Sequence, residues 1–146
     1  MTNRVLSVED GNLDTSIIVS RTKKFSDIDI SFTAKPNGEI YKKVDAAAVK
    51  QSVKNIVLTN HYEKPFQPYF GGNVSAMLFE MADGTTTSAI KRTIKEAIEA
   101  YEPRAQVLDI QVISNPDRNS VSATIVFQVV NSREQVTLST TLSRLR

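Results

Sequence analysis

Cysteine is absent from the 146-residue sequence, and histidine occurs once, as His61. Without cysteine there are no disulfide bonds, no thiol catalysis and no thiolate metal ligands, and this composition is typical of proteins made in a reducing cytosol. His61 has no relay partner in a recognisable motif, so we do not expect it to act as a general base. We expect no catalytic residue, no metal site and no cofactor.

Long apolar runs and a strong net charge are also missing. No segment approaches the roughly 18 apolar residues of a membrane span, and the first residues, MTNRVLSVEDGNLD, lack the apolar core of a signal peptide. A net charge of +2 is too small to indicate a nucleic-acid or membrane partner, although a pI of about 8.9 leaves a basic nucleic-acid adaptor as a minor alternative. We expect a soluble domain over residues 25–146, preceded by an extended arm over residues 1–24.

Two segments have the 3.6-residue period of an amphipathic helix. The longer one lies within Thr87–Arg104, and its apolar stripe consists of Ile90, Ile94, Ala97, Ile98 and Tyr101. The shorter one runs from Ala46 to about Leu58 behind Asp45 as a candidate N-cap, with the apolar stripe Val49, Val53, Ile56 and Val57. A third, short helix is predicted through Met77, Leu78, Phe79 and Met81, with Asn73 or Ser75 as its N-cap.

Residues 25–44 alternate between apolar and polar side chains around a turn at residues 36–38, which predicts a small hairpin. One face of its first strand would carry Ile28, Ile30 and Phe32. Asp27 and Asp29 suggest a metal loop, but their spacing of two places both on the solvent side of a strand. We therefore expect no metal there.

The segment from His61 to Gly72, HYEKPFQPYFGG, combines aromatic residues with two prolines and two glycines, and no regular element fits it. Such a loop most often plugs the edge of a core, and contact with a partner is the alternative. The side chains available for that contact are Pro65, Phe66, Pro68, Tyr69 and Phe70.

After Arg104 the period changes to two, which predicts antiparallel strands around residues 108–112, 121–129 and 136–142. In the first of them the predicted apolar face consists of Leu108, Ile110 and Val112. The last strand consists of Val136, Thr137, Leu138, Ser139, Thr140, Thr141 and Leu142. It is either an ordinary edge strand or a strand that pairs with another chain. The predicted fold is α+β, with two to three helices packed on a small, mostly antiparallel sheet.

Pro103 ends the long helix, so Glu102 and Arg104 flank a stiff turn. The simpler interpretation is a helix stop with two solvated charges, whose ion pair contributes little to stability. The alternative is recognition, because charged groups on a rigid turn lose little entropy when a partner binds them.

The order of four segments resembles a known family. SDIDISF, AAAVKQSVKNIVLT, EKPFQPYFGGNVSAMLFE and IKEAIEAYEPR, followed by alternating strands, are similar over about residues 26–130 to the baseplate wedge and sheath-initiator family of contractile phage tails. That family also has members in type VI secretion. The combination of PFQPYFG, LFE and YEPR is the most specific part of the match.

The resemblance implies a structural protein of the virion tail baseplate, assembled in the host cytoplasm. Its implied partners are other wedge subunits and the tail sheath protein, with no nucleic acid and no membrane. Glu102, Pro103 and Arg104 would bind the helical core bundle of the wedge, and the strand Val136–Leu142 would dock the sheath by strand addition.

Some members of that family carry a lysozyme label, so a peptidoglycan-cleaving enzyme is the main alternative. Retaining glycosidases need two carboxyl groups about 5 Å apart, one of them with a raised pKa. The candidates are Glu80, Asp83, Glu96, Glu99 and Glu102. All of them lie in sequence contexts that favour solvation, so we expect no enzyme activity.

Overall fold

The computed structural model describes residues 25–78, 84–115, 120–130 and 132–143. Within these ranges the strands are β1 (Ser26–Ile28), β2 (Lys42–Val44), β3 (Ala105–Asn115), β4 (Ser120–Val129) and β5 (Gln135–Ser143). The helices are α1 (Ala46–Leu58), α2 (Val74–Met77) and α3 (Gly84–Tyr101). Helices and antiparallel sheets thus combine as the predicted α+β class. The arm predicted over residues 1–24, and the candidate carboxylates Glu80 and Asp83, lie outside the described residues.

The larger sheet has the order β3-β4-β5, with both pairs of strands antiparallel. Its central strand, β4, buries one complete face, formed by Val121, Ala123, Ile125, Phe127 and Val129. On β5, Leu138 and Leu142 are buried while Thr137, Ser139 and Thr141 face solvent. Both alternations confirm the sequence prediction, because side chains of a strand point to opposite faces in turn.

The alternation predicted for β3 is wrong at Leu108, which is 51% exposed. The pairing of β3 with β4 shifts register between Val107 and Asp109, so one residue of β3 is left without a partner opposite it. This β-bulge turns Leu108 out of the core and restores the inward direction at Ile110, which is buried.

Helices α1 and α3 contact each other, and they contact β5 and β3 respectively, so together with the sheet they enclose the core. The predicted stripe of α1 is buried throughout, and so are Ile90, Ile94, Ala97 and Ile98 of α3. Tyr101, also predicted on that stripe, is instead 40% exposed. None of the helices in the described part of the chain is long and apolar enough to span a membrane.

The N-terminal hairpin forms, but its strands are shorter than predicted. β1 and β2 pair over three residues each. The chain then turns, because Oδ1 of Asp29 accepts a hydrogen bond from the Ser31 N–H at 3.0 Å and Phe32 has a φ of 50°, which no strand allows. As a result Ile28, Ile30 and Phe32 are all about half exposed or more, and the predicted apolar face does not join the core.

Asp45 occupies the N-cap position of α1, but its side chain does not cap the helix. Oδ1 of Asp45 accepts a hydrogen bond from the Phe25 N–H at 3.1 Å, and Phe25 O accepts one from the Asp45 N–H at 2.7 Å. The carboxylate predicted as a cap therefore fastens the start of the hairpin to the start of α1.

Candidate partner-binding surfaces

The turn after α3 is closed by main-chain hydrogen bonds. Glu102 N–H donates to Ile98 O at 2.8 Å, as in the last turn of a helix, and Ala105 N–H donates to Glu102 O at 3.0 Å. Pro103, which has no N–H to donate, lies exposed between them. The sequence thus predicts this turn correctly: the helix stops at the proline and β3 begins at Ala105.

The expectation that Glu102 and Arg104 are two solvated charges is wrong. Nε and Nη2 of Arg104 each donate to one carboxylate oxygen of Glu102, both at 2.6 Å, which is a bidentate ion pair. The Glu102 residue is 2% exposed, and the Arg104 side chain is 34% exposed. The carboxylate is therefore an internal anchor, and the guanidinium is the part of the pair that reaches solvent.

The pKa of Glu102 follows from two opposed effects. Burial alone would raise it, but hydrogen bonds from Arg104 and Ser52, together with the positive charge of Arg104, outweigh burial and hold the pKa below its ordinary value. The same contact raises the pKa of the Arg104 guanidinium. Glu102 is consequently ionised at neutral pH and keeps Arg104 in a fixed orientation.

This ion pair joins three parts of the fold. Ser52 belongs to α1, Glu102 follows α3, and the Arg104 guanidinium lies over the ring of Phe25 at 5.1 Å from its centroid. Phe25 is in turn bonded to Asp45. Sequence patterns gave no sign of the roles of Ser52 and Phe25, because both contacts join residues far apart in the chain.

The aromatic loop, residues 61–72, lies beside this turn. Tyr101, the residue before Glu102, donates a hydrogen bond from its hydroxyl to Tyr69 O at 2.9 Å, and its ring lies 4.8 Å from that of Phe70. Phe70 is half-buried, whereas Phe66 is fully exposed and Tyr69 is largely exposed. The interpretation of the loop as a plug over the core therefore fails for Phe66 and Tyr69, while Phe70 packs against Tyr101 at the end of α3.

Pro65 and Pro68 are exposed in the same loop, and the ring of His61 meets that of Tyr69 edge-on at 6.1 Å. Gly71 brings the chain back to the end of α1: its φ is +103°, and a Cβ there would collide with the carbonyl oxygen of Thr59. Gly72 N–H then donates to Ile56 O at 2.9 Å. The loop is thus anchored at its base while its aromatic rings point outward.

The outer edge of β5 presents main-chain groups. Among the residues that the structure describes, β5 pairs with β4 alone. Val129 N–H donates to Glu134 O at 2.9 Å, and hydrogen-bonded and non-hydrogen-bonded pairs alternate along an antiparallel ladder. The uninterrupted register then assigns Thr137, Ser139 and Thr141 to non-hydrogen-bonded positions, so their N–H and C=O groups point away from β4.

The candidate carboxylates do not form a catalytic pair in the part of the chain described. Glu96 and Glu99 are more than half exposed and pair with Arg92 and Lys95 along the surface of α3. Asp29 binds Lys43 at 3.2 Å. Among the described residues, no group of three or more acidic, histidine or cysteine side chains is placed to hold a metal ion.

Comparison with known proteins gives a consistent result. The family model for baseplate wedge protein gp25 matches residues 43–134. The baseplate wedge protein gp25 of Enterobacteria phage T4 is 30% identical over 114 residues, which cover 78% of this chain and 86% of that protein.

Solved structures share the fold at lower identity. A Geobacter sulfurreducens protein described as a tail lysozyme has a TM-score of 0.61 and 21% identity, over 68% of this chain and 90% of that one. A chain of the anti-feeding prophage baseplate has a TM-score of 0.61 and 17% identity, over 84% and 88%. A chain of the postcontracted pyocin R2 baseplate has a TM-score of 0.52 and 17% identity, over 82% and 99%. The sequence matches and the shared fold together show that the chain belongs to the gp25 family of contractile-tail baseplate wedge proteins.

Proposed function

We propose that this baseplate wedge protein connects the helical core bundle of the wedge to the tail sheath and starts sheath assembly. Its partners are then other baseplate subunits on one side and the sheath protein on the other, joined in the host cytoplasm. Neither nucleic acid nor a membrane takes part. Two separate surfaces support this proposal: the turn after α3 with the neighbouring aromatic loop, and the outer edge of β5.

The first surface binds the core bundle through Arg104 and Pro103, and the exposed side chains of the neighbouring loop, Phe66 and Tyr69, contribute to it. The observation that carries this assignment is the bidentate ion pair. Glu102 uses two of the five N–H groups of the guanidinium and leaves the others for carbonyl or carboxylate oxygens of a partner. Glu102 itself is buried, so it acts as a positioning residue for Arg104 rather than as a contact.

A variant that removes recognition without leaving a buried charge tests this surface. In Glu102→Leu/Arg104→Met both charges are replaced by apolar side chains of similar size, an exchange that is often neutral for stability. The matched control is Arg92→Met/Glu96→Leu, which removes an exposed ion pair from the preceding helix, α3. Each variant is co-expressed with the neighbouring wedge subunits, and its melting temperature is measured alone.

We expect the Glu102/Arg104 variant to melt near the wild-type temperature and to lose co-purification with the wedge subunits, while the control retains both properties. Normal co-purification of the Glu102/Arg104 variant would contradict the assignment. If that variant melts early, Phe66→Ser gives the same test, because the Phe66 ring is fully exposed and its loss affects the fold little.

The second surface receives the sheath by strand addition. Main-chain groups of Thr137, Ser139 and Thr141 point outward along β5, and a partner strand binds such an edge without requiring a particular sequence. Leu138 and Leu142 belong to the core, so β5 also stabilises its own domain. The test is tail assembly with Ser139→Pro, which removes one outward N–H and keeps every bond to β4.

We further propose that the protein has no catalytic role. A general acid in glycoside hydrolysis needs a raised pKa, whereas the buried carboxylate here, Glu102, has a lowered one. The lysozyme alternative has the description of the Geobacter structure in its favour. Purified protein should leave the turbidity of a cell-wall suspension unchanged; clearing that Glu99→Gln or Glu80→Gln abolishes would overturn this proposal.

A further inference from the structure

A groove of about 590 Å³ lies beside the outer edge of β5. One wall is a stripe of α1 at helical spacing, formed by Ala47, Lys50, Gln51, Lys54 and Asn55; the other walls are the turn at residues 29–31 and Leu138 and Ser139 of β5. Leu138 faces the core and Ser139 faces away from it. Since both residues line the groove, it reaches the edge of the strand, where the outward main-chain groups lie.

Gln51 fixes the wall opposite β5. It is buried, its Nε2 donates to Ile28 O at 2.8 Å, and its Oε1 accepts from Ile30 N–H at 3.4 Å. These two hydrogen bonds hold the turn at residues 29–31 against α1. Hydrogen bonds therefore hold two walls of the groove together, and the groove is already formed before a partner binds.

The charge of this groove is positive. Lys43, Lys50 and Lys54 line it, and the one carboxylate of its lining, Asp29, is bound to Lys43 at 3.2 Å. Within the described ranges no carboxylate lies within ion-pair distance of Lys50 or Lys54. Two lysines thus line a groove that lies next to a strand edge.

Their spacing fits an extended chain. Lys50 and Lys54 are one helical turn apart, about 6 Å along the axis of α1. Side chains on one face of a strand repeat every two residues, at roughly 6.7 Å. Carboxylates at two successive positions on one face of a strand added to β5 would thus have nearly the same separation as the two lysines.

We propose that the groove selects an extended acidic segment of a partner chain, with carboxylates at alternate positions facing Lys50 and Lys54. The inference rests on the proposed strand addition at β5 and adds the chemistry of the added segment. The main-chain edge supplies affinity for any strand, and the lysines supply the preference for a negatively charged one.

Peptide binding to the full chain tests the inference. The probes are two fluorescent peptides of about nine residues, the length of β5, one alternating threonine with glutamate and the other alternating threonine with lysine. Anisotropy is measured at about 50 mM and about 300 mM NaCl. The higher salt concentration weakens attraction between exposed charges, so the difference reports the electrostatic part of binding. The variants are Lys50→Glu/Lys54→Glu and the control Lys91→Glu/Lys95→Glu, an equal charge change at the same spacing on α3.

We expect the glutamate peptide to bind the wild type at least about tenfold more tightly than the lysine peptide, with the preference reduced at higher salt. The Lys50/Lys54 reversal should remove that preference and the control should keep it. Equal effects of the two reversals, equal binding of the two peptides, or no binding to the wild type would each contradict the inference.

Ser139→Pro separates this inference from the proposed function. If Ser139→Pro abolishes binding but the Lys50/Lys54 reversal does not, strand addition stands and acidic selection fails. If the reversal abolishes binding but Ser139→Pro does not, the peptide binds by charge alone. That result would contradict both strand addition and the inference that rests on it.

Two other occupants have distinct signatures that would contradict the assignment to a partner. A dimer of the free protein that the Lys50/Lys54 reversal dissociates would assign the groove to a second copy. Tighter peptide binding after Glu9, Asp10 and Asp14 are replaced by Ser would assign it to the first 24 residues of the chain itself.

Discussion

Arg104 holds Glu102 through two hydrogen bonds of 2.6 Å, across a turn in which Pro103 separates them. Because the carboxylate is buried and also bonded to Ser52, this contact joins α1 to the end of α3. It makes the turn part of the structural framework of the domain and fixes the orientation of the guanidinium.

Glu102→Ala should lower the free energy of unfolding by about 2–4 kcal/mol, because it leaves a partly buried guanidinium without its carboxylate. Glu96→Ala, within α3, is the matched control. Its carboxylate is exposed and pairs with Arg92 at 3.8 Å, so the change should be within about 0.5 kcal/mol. Denaturant titration measures both, and equal effects would show that the Glu102 pair contributes no more than a surface pair.

The contribution of Glu102 should depend on pH in a defined direction. Its folded-state pKa is lowered, so the stabilisation is fully present above the unfolded glutamate pKa of about 4.3 and is lost as pH falls through the folded value. The difference in unfolding free energy between wild type and Glu102→Gln should therefore be constant near neutral pH and shrink below about pH 4. A difference that grows on acidification would contradict the lowered pKa.

Gly71→Ala should destabilise the protein by about 3 kcal/mol or more, because the new methyl group collides with the Thr59 carbonyl and the backbone is left-handed. Gly38→Ala is the control. Gly38 also has a positive φ, of +83°, but a Cβ there meets nothing within 4 Å, so the cost should be about 1 kcal/mol. Equal melting temperatures of the two variants would show that the approach of Gly71 to Thr59 is not a constraint.

Periodicity predicted the parts of the fold in which one face of a regular element is buried. The stripes of α1 and α3 and the inward face of β4 are examples. It failed at Leu108, because a bulge shifts the register without changing the composition of the strand, and at Ile30 and Phe32, because local hydrogen bonding by Asp29 ends the strand first.

The sequence predicted the turn at residues 102–104, but not the environment of its charged side chains. A proline after a helix indicates a turn, so Glu102 and Arg104 were found in the right place. Their burial depends on Ser52 and Phe25, which are distant in the chain. The lysine-lined groove is likewise invisible in the sequence, since it needs α1, the hairpin and the edge of β5 to meet.

Electron microscopy of tails assembled with Ser139→Pro tests the proposal that the edge of β5 starts the sheath. Ser139→Val, which keeps the N–H and favours strand geometry, is the control. Both variants should be folded and should enter baseplates, since the Ser139 side chain is exposed and its N–H points away from β4. We expect extended sheaths with Ser139→Val and baseplates without sheath with Ser139→Pro. Normal sheaths on Ser139→Pro baseplates would show that the edge of β5 does not start the sheath.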